Sequence, residues 1–123
     1  MKPEQQRIAI AEACGWTRCE YVESIGLTKG MPGNNKPNYG TYQNGMAQLP
    51  QYLNDLNAMH EAEQTLWEKD WASRHDFVDQ LARIISPTHG HHLQSGIDLL
   101  DATASERAEA FLRTMNKWKE TKL

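Results

Sequence analysis

ATASERAEAFLRTMNKW, residues 102–118, decides the reading of the fold. Thr103 and Glu106 have the Thr-x-x-Glu spacing of a capping box, where hydroxyl and carboxylate each take a backbone N–H left over at a helix start. Ala104, Ala108, Phe111, Leu112, Met115 and Trp118 then give a helical stripe. LPQYLNDLNAMHEAEQTL, residues 49–66, reads the same way. The helix itself is expected over Asn54–Lys69, where Asn54 or Asp55 can cap it, and Leu56, Met59, Ala62 and Leu66 share one face. His60, Glu61, Glu63 and Gln64 are expected on the opposite, hydrated side.

Outward from these stretches, Pro3–Cys14 reads as a helix. Pro3 suits a first turn, where its missing N–H costs nothing. Ile8, Ala11 and the Ala9/Ala13 pair make a narrow apolar face, and Gly15 suits the left-handed position beyond a helix end. Trp16–Ser24 is β-branched, aromatic and imperfectly alternating, which favours a strand. Ser73–Ser86 reads as a third helix. Ser73 and Asp76 have capping-box spacing, Phe77, Val78, Leu81, Ile84 and Ile85 form a buried face, and Pro87 is expected to stop it.

Two segments read differently. Residues 26–50 hold five glycines, three prolines and four asparagines, which is turn chemistry and predicts a long loop with at most short strand pieces. His89–Asp101 is a second irregular region, with a short strand possible at Gly96–Leu100. Residues 118–123 read as a charged, frayed tail.

At 123 residues the chain is expected to form a single domain over residues 1–123. Four Trp, four Tyr and two Phe supply bulk for a core. The net charge of −3 disfavours a general nucleic-acid binder, which would carry a basic excess. Cys14 and Cys19 have neither CxxC nor zinc-finger spacing and read as reduced thiols. No apolar run approaches a membrane span, and the N-terminus lacks the apolar core of a signal peptide. A cytoplasmic protein is expected.

Three blocks together carry a resemblance. IAIAEACGW (Ile8–Trp16), LPQYLNDLNAMHEAE (Leu49–Glu63) and ATASERAEAFLRTMNKW (Ala102–Trp118) resemble the signatures of the phage ABA sandwich domain proteins, in the family's order and over about a third of the chain. The chain departs from that pattern at Gln51, where an Asp is usual, and at Asn116, where a Gly is usual. Both departures argue against essential roles for those positions. The resemblance implies an α-β-α layered domain of phage or prophage origin, with a small sheet between helices. It implies no activity, cofactor or catalytic residue. The expected fold is therefore α+β: a small α-β-α sandwich with three to four helices packed around a small β-sheet.

Candidate chemistry is sparse. His89, His91 and His92 surround Gly90, and imidazoles are common metal ligands. Their further ligands are not evident, so a solvated loop is the plainer reading. His60-Glu61-Ala62-Glu63-Gln64 lacks the second histidine of HExxH. The loop TKGMPGNNKPNY brings Lys29 and Lys36 together with many backbone N–H groups, the materials of an anion site, but without Walker spacing. Tyr39 and Tyr42 follow it, and aromatics with polar tips are enriched at contact surfaces. Trp67 and Trp71 lie one helical turn apart, and Tyr52 lies near the loop.

The leading expectation is a non-enzymatic phage accessory protein. It would act in the host cytoplasm, in a host-takeover or anti-defence role. Its partner would be a host protein, met by exposed aromatics such as Tyr39 and Tyr42, or a small anionic ligand held by the Gly26–Gly45 loop with Lys29 and Lys36. No cofactor is expected. The first alternative is a metal-dependent or acid/base enzyme using His89, His91 and His92. The second is a structural or assembly module acting as a homo-oligomer.

Overall fold

The computed structural model describes residues 1–31, 47–69, 71–89 and 102–120, apart from the side chains of Trp71 and residues 86–89. Among these residues the chain is a small α+β fold of four helices and a three-stranded antiparallel sheet. The order is α1 (Pro3–Ala13), β1 (Thr17–Val22), β2 (Leu27–Met31), β3 (Ala47–Gln48), α2 (Leu56–Lys69), α3 (Trp71–His89) and α4 (Ala104–Thr114).

Local hydrogen bonding accounts for most helix ends. Pro3 opens α1, and the Gln5 carboxamide oxygen accepts the Lys2 N–H at 3.1 Å. At the other end Gly15 takes φ +98°. Its N–H donates to Glu12 O at 3.1 Å, and Trp16 N–H reaches back to Ala11 O at 3.0 Å. That is a Schellman closure, with buried Trp16 beside buried Ala11 as its apolar element. The expected capping box of α4 is present: Thr103 Oγ1 accepts from Glu106 N–H at 3.1 Å, and Glu106 Oε1 from Thr103 N–H at 2.8 Å. α4 closes as α1 does. Asn116 stands at φ +59°, its N–H donates to Arg113 O, and Lys117 N–H donates to Leu112 O at 2.8 Å. Position 116 therefore requires a left-handed residue, and Asn meets that demand at lower cost than most side chains.

One further boundary agrees with the sequence reading and others correct it. Asp55 caps α2, its Oδ1 accepting Asn57 N–H at 2.9 Å. Leu56, expected on the buried stripe, is 41% exposed. α3 begins at Trp71, so Ser73 lies inside its first turn and is not the cap. Its helix also runs through Pro87 to His89. Proline's fixed φ is itself helical, so near a helix end it removes one hydrogen bond without redirecting the chain. α4 stops at Thr114, and Trp118 folds back under Arg113, whose guanidinium lies 5.1 Å from the indole centre. Trp118 Nε1 donates to Glu120 Oε1 at 3.1 Å.

The sheet occupies part of the segment read as a loop. β1 and β2 form a hairpin whose turn is closed by Gly26, at φ +66°, donating to Val22 O at 2.8 Å. The register jumps between Thr17↔Met31 and Glu20↔Lys29, so Arg18 and Cys19 together oppose Gly30. This bulge explains the imperfect alternation of the strand sequence. Gly30 is required there: a Cβ would lie 2.9 Å from Cys19 Sγ and 3.2 Å from Thr17 O. β3 adds to β2 through Lys29↔Gln48 and Gly30↔Ala47.

α4 is the hub of the core and packs on α1, α2 and α3, while the sheet lies against α1. Phe111, Leu112 and Ala108 meet Ile10 and Ala11 of α1, Met59, Ala62 and Leu66 of α2, and Phe77, Leu81 and Ile85 of α3 in one apolar cluster. Burial of a side chain such as Phe111 contributes roughly 1.5–3 kcal/mol. On α1 the fully buried residues are Ile10 and Ala11, whereas Ile8 is half-buried. Ile84 and Met115, also counted as core from the sequence, are half-buried. Among the described residues no helix is long and apolar enough to cross a membrane.

Candidate functional site

Among the described residues four large apolar side chains are exposed: Tyr21 and Ile25 on the hairpin, Leu56 on α2, and Val78 on α3, which the helical pattern placed on a buried face. Tyr21 is 42% and Ile25 63% exposed, on β1 and in the following turn. Three residues before Tyr21, Arg18 holds φ +53° at the bulge with its side chain on the surface. A non-glycine residue in left-handed backbone carries strain, which here is fixed by pairing on both sides of the bulge. Sequence reasoning missed Arg18, Tyr21 and Ile25 as surface features. The broken alternation at Thr17–Arg18 was the available signal.

Lys29, a proposed anion contact, lies on β2 directly across from Glu20, and its ammonium is 3.3 Å from Glu20 Oε1. Its charge is thus partly committed within the sheet. Lys36, Tyr39 and Tyr42 lie outside the described residues, as do His91 and His92. His89 ends α3, and its side chain also lies outside them. Among the described residues no group of three His, Cys, Asp or Glu side chains is arranged to hold a metal ion.

The remaining aromatics and thiols have structural surroundings. Trp67 meets Phe77 edge-on with ring centres 5.5 Å apart, and Arg74 caps the Trp67 carbonyl through Nε at 3.0 Å and Nη2 at 2.6 Å. Tyr52 is buried. Cys14 accepts the Thr65 hydroxyl at 3.6 Å. Burial, with Glu12 nearby, pushes the Cys19 thiol up to about 11, which keeps it protonated and a poor nucleophile.

The largest correction concerns Glu63. The helical pattern assigned it to the hydrated face of α2, yet it is 2% exposed. Its Oε1 lies 2.7 Å from Arg107 Nη1 on α4, and that side chain is buried as well. The apolar face of α2 is therefore wider than the Met59–Ala62–Leu66 stripe, and Glu63 falls inside it. Burial raises the Glu63 carboxyl to about 7, against the pull of Arg107. Glu61 and His60, two and three residues earlier, stay on the surface as expected.

Besides a cleft of about 460 Å³ lined by Gln80, Arg83 and Ile84 of α3 and Glu109 and Arg113 of α4, two further open clefts border the described residues. One, of about 320 Å³, lies at the start of α2 and is lined by Gln48, Gln51, Asp55, Asn57 and Glu61, with apolar Leu49, Pro50 and Ala58. The other, of about 430 Å³, runs between α1 and residues 116–119, with Met1, Ile8 and Ala9 between Glu12 on one side and Lys117 and Lys119 on the other. Neither gathers a nucleophile with a base. No family model, no curated protein and no solved structure matches this chain.

Proposed function

We propose that this chain is a small binding protein that contacts a partner protein through its β1–β2 hairpin. The supporting observation is the exposed Tyr21 and Ile25 on a hairpin whose bulge holds Arg18 in strained backbone. Exposed aromatic and arginine side chains on a rigid support are the materials of an interface hot spot. The ion pair of Lys29 with Glu20 favours this reading over an anionic small-molecule ligand. The resemblance to phage ABA sandwich domain proteins points to a phage or prophage accessory role in the host cytoplasm, directed at host takeover or anti-defence.

A photo-crosslinking residue placed at position 25 tests this inside infected bacteria. A discrete adduct is expected at position 25, and none with the same probe at His60, an exposed residue on α2. Equal labelling at both positions, or none at either, defeats the proposal. A Tyr21→Ser/Ile25→Ser chain should keep its fold, since both side chains are exposed, and lose the partner.

A further inference from the structure

We infer that the Glu63–Arg107 contact is a proton-responsive joint between α2 and α4, and that the fold is held more tightly with a proton on the carboxyl than without it. The geometry carries the inference. Glu63 Oε1 accepts from Arg107 Nη1 at 2.7 Å, while Oε2 is sealed from solvent and meets no hydrogen-bond donor among the described residues. A carboxylate oxygen left bare in the core is costly, and protonating it removes the charge that burial penalises.

Among the described residues no second positive group is bonded to Glu63 Oε2. α4 presents Arg107. α1 carries Arg7, with a buried Nε, and is followed by Cys14, whose sulfur accepts the Thr65 hydroxyl. α3 turns Phe77, Leu81 and Ile85 into the core; its Arg74 is engaged at Trp67, and Asp76, Asp79 and Arg83 are exposed. On α2 itself His60 and Glu61 are exposed. Burial lifts the carboxyl from the usual 4.5 to about 7, even with Arg107 opposing. A group whose pKa is higher folded than unfolded contributes stability that is fully present below the unfolded value. That contribution is lost as pH rises through the folded value. The window for Glu63 therefore runs from 4.5 to about 7.

Two measurements test this. The first follows the Glu63 side-chain carboxyl carbon by NMR across that window in the unmodified protein. A midpoint well above the ordinary glutamate range is expected. The second compares urea unfolding of the unmodified chain and Glu63→Gln at pH 5 and pH 8. The amide copies the neutral carboxyl and keeps an acceptor for Arg107. The folding constant of the unmodified chain should fall roughly fiftyfold more than that of the variant. A carboxyl titrating at or below the ordinary value, or parallel losses in the two chains, overturns the inference. Should Glu63→Gln not fold, the carboxyl titration decides alone.

Discussion

Two ion pairs of similar chemistry sit in opposite settings. Glu63–Arg107 joins α2 to α4 inside the core, with side chains 3% and 9% exposed. Glu20–Lys29 crosses the hairpin on the surface, with side chains 56% and 31% exposed. The first pair has given up its water and depends on its partner and on proton uptake. The second keeps its water and gains little from pairing. Setting, more than contact distance, decides what each pair contributes.

The largest effect should come from breaking the inner pair. Arg107→Ala leaves Glu63 buried without the guanidinium and is expected to cost about 3–5 kcal/mol in urea unfolding at pH 8. The loss should be smaller at pH 5, where the carboxyl can take a proton. An equal loss at both values would mean that packing of the arginine stem, not charge, dominates.

A middle effect comes from disturbing the hairpin without touching its charges. Gly30→Ala drives a Cβ against Cys19 Sγ and the Thr17 carbonyl, and the latter is backbone that cannot swing aside. A loss of about 1–3 kcal/mol is expected, as for other overpacked sites. Amide exchange should quicken in β1 and β2 before it does in α4. The smallest effect belongs to the outer pair itself. A double-mutant cycle on Glu20 and Lys29 should give a coupling of about 0.2–1 kcal/mol, largely screened at 1 M salt. The same cycle on Glu63 and Arg107 should keep most of its coupling in salt. If both couplings respond to salt alike, the two settings differ less than their burial implies.

Legibility in the sequence followed the range of the interaction. The Thr103–Glu106 box and the Gly15 closure were readable because donor and acceptor lie within five residues of each other. The α4 stripe was readable through Ala108, Phe111 and Leu112 because one helix faces one core. Trp118 was misjudged because the left-handed Asn116 ends the helix before it. The candidate surface was hardly readable at all. Tyr21 and Val22 looked equally like strand filling, and only the hairpin's position leaves Tyr21 in solvent while Val22 is half-covered. The histidine cluster and the residues Lys36, Tyr39 and Tyr42 rest on sequence alone.

By itself, then, the sequence determined how α1 ends, how α4 begins and which stripe of α4 is apolar, because those features are settled by hydrogen bonds and periodicity within a few turns. Tertiary structure alone decided that Glu63 is buried, that Leu56 is exposed and that Lys29 faces Glu20. The first and the last of these depend on which distant element arrives at that face: α4 against α2, and β1 in a bulged register against β2. A helical repeat cannot distinguish a hydrated glutamate from a buried one, since the arginine that receives it lies 44 residues away in the chain.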